Sequence, residues 1–193
     1  MREISEHYDV SLNAVVYFMR TFNIERRSHG ESNKVWYDRQ IPSFSLKKTG
    51  NKNFEEFDVV GAMLYWAEGY KRETASGVDF ANSDPDMILV FLNFLRNRYV
   101  LNKRKLHFSL YYYANQDRSS LIRFWTQKLK VPENSFRNHY CKKNPTVGAR
   151  ELPYGVLHVR YNDKKLLRDV LNLIESLKYR YCVGGRAVNY TSL

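Results

Sequence analysis

Cysteine is scarce in this chain. The two present, Cys141 and Cys182, stand far apart with neither CxxC nor CxxH spacing. That excludes a disulfide scaffold and a structural zinc site and leaves two ordinary free thiols. Proline and glycine are also few, 5 and 9 in 193 residues, so a collagen-like or Pro/Gly-dominated chain is excluded. Apolar runs are short. The longest, residues 87–92, falls far below the ~20 residues that cross a bilayer. No charged leader precedes a long apolar stretch, so a cytoplasmic protein with no membrane partner is expected. There is no Walker loop, GxGxxG, GxSxG or HExxH, which removes support for nucleotide-driven, dinucleotide-dependent and common hydrolase chemistry.

What is present is a core and a charge. Hydrophobic residues make up 44% and aromatic residues 15% of the chain, enough to fold rather than remain disordered. Lys and Arg number 31 against 20 Asp and Glu, a formal charge of +11. The surplus grows along the chain. Residues 1–56 hold nine basic and eight acidic side chains, residues 57–140 twelve and eight, and residues 141–193 ten and four. Such a chain attracts polyanions, because each neutralised phosphate releases condensed counterions. The 15 Tyr and 3 Trp interspersed with these cations fit nucleic acid better than a membrane surface.

Three regions follow from the pattern. Residues 1–28 read as two short helices joined by a tight turn. Residues 29–56, rich in Gly, Ser, Asn and Lys, read as a linker with a possible short strand over residues 34–37. Residues 57–181 alternate helix and strand, and residues 182–193 read as a loose tail. In the long region, residues 57–68 form an apolar helix stopped by Gly69. Residues 78–81 form a strand, and Ser83 caps a helix with Pro85 in its first turn and Asp86 near its positive end. Residues 105–113 alternate: Leu106, Phe108, Leu110 and Tyr112 face one way, Lys105, His107, Ser109 and Tyr111 the other. Residues 119–129 form a helix, residues 156–161 a strand with His158 and Arg160 on its polar side, and residues 164–179 the last helix. The expected fold is α+β, an antiparallel sheet with one apolar face under helices. Its other face presents Lys105, His107, Ser109, Tyr111, His158 and Arg160, a cationic, aromatic-dotted platform for a nucleic-acid groove.

The N-terminal pair resembles the core helices of a helix-turn-helix unit. Ile4 and Val10 would pack on Val15 and Phe18, and Ser11 would cap the second helix. Asn13 and Tyr17 would lie towards bases, with Arg20, Arg26 and Arg27 near phosphates. The unit normally has a preceding helix; either the start is truncated or a neighbouring segment fills its place. A plain helical hairpin is the alternative.

Residues Gly61-Ala62-Met63-Leu64-Tyr65-Trp66-Ala67-Glu68-Gly69 resemble the LAGLIDADG motif of homing endonucleases and of regulators derived from them. A closer resemblance is to microbial proteins with a helix-turn-helix start and an LYWxEGxK motif. Leu64 through Lys71, Phe80 through Met87, Phe124-Trp125 with Pro132 and Phe136, and Gly155 through Asp163 carry it. The resemblance covers most of residues 57–180. It implies a homodimer whose motif helices pair through Gly61, Ala62 and Tyr65. Glu68 would be the metal ligand and catalytic acid, with Mg²⁺ as cofactor only if the protein cuts. Lys71, Lys142 and Lys143 are candidates for the stabilising cation, and the sequence does not choose among them. Arg72 is either a DNA contact or a partner for Glu68 acting as a helix-end carboxylate.

Function therefore reads as sequence-specific binding of double-stranded DNA, with or without Mg²⁺-dependent cleavage. A non-cleaving transcriptional regulator of the same fold is one alternative, an RNA-binding or protein-interaction domain another. Asp84 and Asp86 read as cap and dipole residues, and His107, His139 and His158 lack metal-ligand spacing.

Overall fold

The computed structural model describes residues 1–47, 53–72, 74–143 and 152–183. Residues 48–52 of the expected linker and 184–193 of the expected tail lie outside the described residues. The chain divides into two compact units, Met1–Ile41 and Pro42–Leu193.

In the first unit, α1 (Arg2–His7) and α2 (Leu12–Thr21) form the expected pair. The Ser11 side chain accepts from the Ala14 amide at 3.1 Å, satisfying an otherwise orphaned donor of the first turn. Val15 is buried, but Ile4, Val10 and Phe18 stay 44%, 42% and 55% exposed, so the expected four-residue cluster is not enclosed. Helices this short turn too little apolar surface inward to close a core. A third helix, α3 (His29–Arg39), replaces the expected linker and strand. Its start is a capping box. Ser28 Oγ accepts from the Glu31 amide at 3.2 Å, and the Glu31 carboxylate accepts from the Ser28 amide at 2.7 Å. Arg39 reaches back to Glu3 of α1 in an exposed ion pair.

The second unit is α+β. Its elements are β1 (Phe44–Leu46), α4 (Asn53–Glu68), β2 (Val78–Asn82), α5 (Pro85–Arg98), β3 (Tyr99–Leu101) and β4 (Leu106–Tyr113). There follow α6 (Arg118–Leu129), a 3₁₀ turn (Glu133–Ser135), β5 (Tyr140–Lys142), β6 (Val156–Tyr161) and α7 (Lys164–Lys178). The main sheet runs β2-β6-β4-β5. The first three strands are antiparallel neighbours, as expected, but β5 lies parallel to β4, so the sheet is mixed. A separate antiparallel pair joins β1 to β3. The resemblance implies helix, strands, helix, strands, helix; here α5 and α6 both stand between α4 and α7, and only β2 separates α4 from α5.

Capping is side-chain driven. Asp84, one residue beyond the expected Ser83, caps α5 by accepting from the Asp86 and Met87 amides at 2.8 and 3.3 Å. Asp117 and Asp163 cap α6 and α7 in the same way, accepting from Ser120 and Lys165 at 2.8 Å. One face of the sheet, Val78, Phe80, Phe108, Leu110, Leu157, Val159 and Tyr161, is buried in the hydrophobic core with residues from α4 to α7. Phe91 of α5 stacks on Phe80 at 4.2 Å, and Trp125 of α6 anchors its indole N–H on the Tyr154 carbonyl at 2.9 Å. The four helices and one sheet face thus share a single core, and the sheet's other face is left to polar side chains.

Candidate nucleic-acid interface

Strand register builds the polar face. In β2–β6, Asp79 is opposite Arg160; in β4–β6, His107 is opposite Arg160 and Ser109 opposite His158; in β4–β5, Tyr111 is opposite Tyr140. Period-two alternation puts all of these on one side of the sheet. At the centre, Asp79 accepts from Arg160 Nε at 2.9 Å, and His158 Nδ1 lies 2.8 Å from its other oxygen. Arg160 also donates to Ser109 Oγ and to the Tyr111 hydroxyl, each at 3.3 Å. Burial works against the Asp79 carboxylate, yet the His158 hydrogen bond and the neighbouring cations hold its pKa below the ordinary value. Burial likewise opposes the Arg160 guanidinium, but the Tyr111 hydrogen bond and the Asp79 charge more than offset it and raise its pKa.

Tyr111 sits over this network. Its ring lies 4.3 Å from the His158 ring and 5.4 Å from that of Tyr140, with Lys142 Nζ 5.8 Å from its centroid. Tyr140 is 57% exposed, and Lys142 and Lys143 are exposed beside it. A shallow depression of about 310 Å³ adjoins Asp79, His107 and Arg160 and reaches Tyr70 and Asn138.

Several expectations change here. His107 and Ser109 are buried, His107 showing only a small part of its side chain at the depression beside Asp79. Ser109 lies under the Arg160 side chain, and burial pushes the His107 pKa down. Lys105 pairs with Asp163 at 3.8 Å. Arg160 and His158 are held by Asp79 rather than free to clamp phosphate. Tyr111, Lys142, Lys143 and Arg72 remain accessible in part or in full, Arg72 standing over the Tyr70 ring. In the N-terminal unit Asn13, Tyr17, Arg20, Arg26 and Arg27 are all exposed.

The motif helix departs further. Gly61, Ala62 and Tyr65, the expected dimer interface, are buried within the chain against α5. A Cβ at Gly61 would come within 2.0 Å of the Phe94 ring, so the glycine serves an internal helix crossing. The exposed side of α4 carries Phe57, Val60, Ala67 and Glu68 instead. Lys71 is also committed: its ammonium donates to the Trp66 and Gly69 carbonyls at 2.8 and 2.9 Å, closing the C-terminal end of α4. Glu68 is exposed. Among the described residues no group of three or more His, Cys, Asp or Glu side chains is arranged to hold a metal ion.

Residues that sequence reasoning passed over are Asp79 and Tyr140. Asp79 was legible only as the polar alternate of a strand, and Tyr140 falls in a three-residue strand with no periodic signal. Comparison with family models, curated proteins and solved structures returns no match. The likeness to LAGLIDADG proteins rests on the quoted residues. No described helix is long and apolar enough to cross a membrane. Both cysteines are free and exposed, as expected.

Proposed function

We propose that the chain binds double-stranded DNA through the polar face of the β2-β6-β4-β5 sheet. The observation that carries this reading is the Tyr111–Tyr140–Lys142 cluster, an aromatic and cationic edge held rigid from below by the Asp79–Arg160–His158 network. A platform whose rotamers are fixed by a second layer of hydrogen bonds loses little entropy on binding. Lys142, Lys143 and Arg72 supply phosphate contacts at its rim; in the N-terminal unit the exposed Asn13 and Tyr17 of α2 supply base contacts and Arg20 a phosphate contact. The net charge of +11 supplies the long-range attraction.

Fluorescence anisotropy on a labelled DNA duplex, repeated at rising salt, tests the reading. Binding that weakens steeply with salt is expected, and the Lys142→Ala/Lys143→Ala double variant lowers the log–log salt slope by about 1–2. Equal affinity for a matching RNA duplex, with no preference among DNA sequences, would transfer the function to RNA.

A cleaving form has one specific support, the position of Glu68 at the exposed end of α4, the helix whose exposed side also carries the apolar Phe57, Val60 and Ala67. Two protomers meeting on that stripe would bring two such acids together. A nicking assay in Mg²⁺ with Glu68→Gln decides it: loss of nicking with binding retained supports cleavage, and nicking that persists removes Glu68.

A further inference from the structure

Away from the polar sheet face, a cleft of about 830 Å³ lies where the β3–β4 turn, the ends of α5 and α6 and the 3₁₀ turn meet. Six cationic residues line it: Lys47, Arg96, Lys103, Arg104, Lys130 and Arg137. Among the described residues no acidic side chain lines it. Its floor is aliphatic, formed by Val100, Leu101, Leu106, Val131 and Pro132.

Several basic side chains elsewhere in this unit are paired: Arg98 with Asp58, Lys105 with Asp163, Lys128 with Asp86, Arg160 with Asp79. In the cleft, Lys47 donates to the Arg96 carbonyl at 2.6 Å and meets no carboxylate among the described residues. None of the six cleft cations forms an ion pair among the described residues. Arg96 is half-buried, and both its terminal nitrogens donate to the Leu129 carbonyl at 3.1 Å. Burial lowers its pKa. Lys130 adds an independent sign. It is the C-cap of α6 at φ 51°, a left-handed position that suits glycine. A long basic side chain stands there at a conformational cost, on the wall of the cleft.

We propose that this cleft binds a small polyphosphorylated ligand with an apolar portion, of the nucleoside di- or triphosphate class. The volume falls within the range of small-molecule sites. The cations match two or three phosphates, and the aliphatic floor takes the nucleoside. Recognition runs through side-chain cations in place of a glycine-rich phosphate loop. A nucleic-acid strand fits less well, because the lining rings, Tyr99 and Phe108, are buried and offer no face for base stacking.

Isothermal titration calorimetry of the full chain with ATP, tripolyphosphate and inorganic phosphate tests the site. ATP and tripolyphosphate bind, ATP the tighter, with inorganic phosphate at least about tenfold weaker. Lys130→Gly and Arg104→Ala each weaken ATP about tenfold, the loss of one charge-assisted contact. Lys130→Gly relieves the left-handed strain, so its thermal midpoint does not fall and lost binding cannot be ascribed to misfolding. Absence of heat with both ATP and tripolyphosphate, or unchanged affinity in both variants, overturns the proposal. So does a short single-stranded oligonucleotide that binds more tightly than ATP with the same dependence on Lys130. The site is independent of the duplex-binding reading: Lys142→Ala/Lys143→Ala leaves ATP affinity unchanged whether or not duplex binding is lost.

Discussion

Among the described residues of Met1–Ile41, Val15 alone is buried, while Tyr17, Phe22, Trp36 and Ile41 stand open to solvent. In the unit that begins at Pro42, a continuous cluster of buried side chains runs from Ala62 to Leu177. The two units use similar residue types, so composition does not separate them. What separates them is geometry. A sheet face under four helices can enclose apolar side chains on all sides, whereas helices of 6, 10 and 11 residues cannot. Stability in the first unit is therefore local, resting on caps. In the second it is cooperative, resting on packing.

The largest test of that contrast is a pair of truncations. Phe91→Ala, within the stacked Tyr65–Phe91–Phe80 array, is expected to cost about 3–5 kcal/mol in urea unfolding. Val15→Ala is expected to cost about 1 kcal/mol, read by hydrogen exchange in α1 and α2. Equal costs would mean that the two units unfold as one body.

Next in size is Asp79→Asn, which leaves Arg160 half-buried without its counter-ion. A loss of about 1–3 kcal/mol at neutral pH is expected. The folded pKa of Asp79 lies below its unfolded value near 3.9, so its stabilisation is complete above about pH 4 and is lost as pH falls through the folded value. The wild-type and Asp79→Asn stability curves should converge in acid; a gap that stays constant down to pH 2 would assign the effect to packing instead. The smallest effect is expected at the α3 cap. Ser28→Ala should cost about 1 kcal/mol, confined to faster amide exchange in α3 with the second unit untouched.

Much of the fold was legible locally. The alternation of β4 and β6, the Pro85 start of α5 and the stripe of α7 all sit where the pattern places them. The misses have physical causes. Gly30, Ser32 and Asn33 read as linker, but the Ser28–Glu31 capping box outweighs their poor propensity and the segment is helical. The strands β1, β3 and β5 are three residues each, too short to show a period. The small residues of the motif helix signal a close approach correctly, but not to which partner: Gly61 meets Phe94 of its own chain. The candidate site was half legible. Tyr111, His158 and Arg160 share a face by alternation, yet nothing local indicates that His107 and Ser109 are buried or that Asp79 holds the cations.

By itself, then, the sequence determined the longer helices and strands of the second unit, the Ser11 cap of α2 and how strongly the molecule attracts anions. These follow from interactions between residues a few positions apart or from simple charge. Tertiary structure alone decided that β5 runs parallel to β4, that α4 spends its small residues on α5, that Asp79 meets Arg160 across 81 positions, and that six cations converge on one cleft. Strand pairing and helix docking are settled by burial and register between distant segments, and those terms leave no periodic trace in the residues that take part.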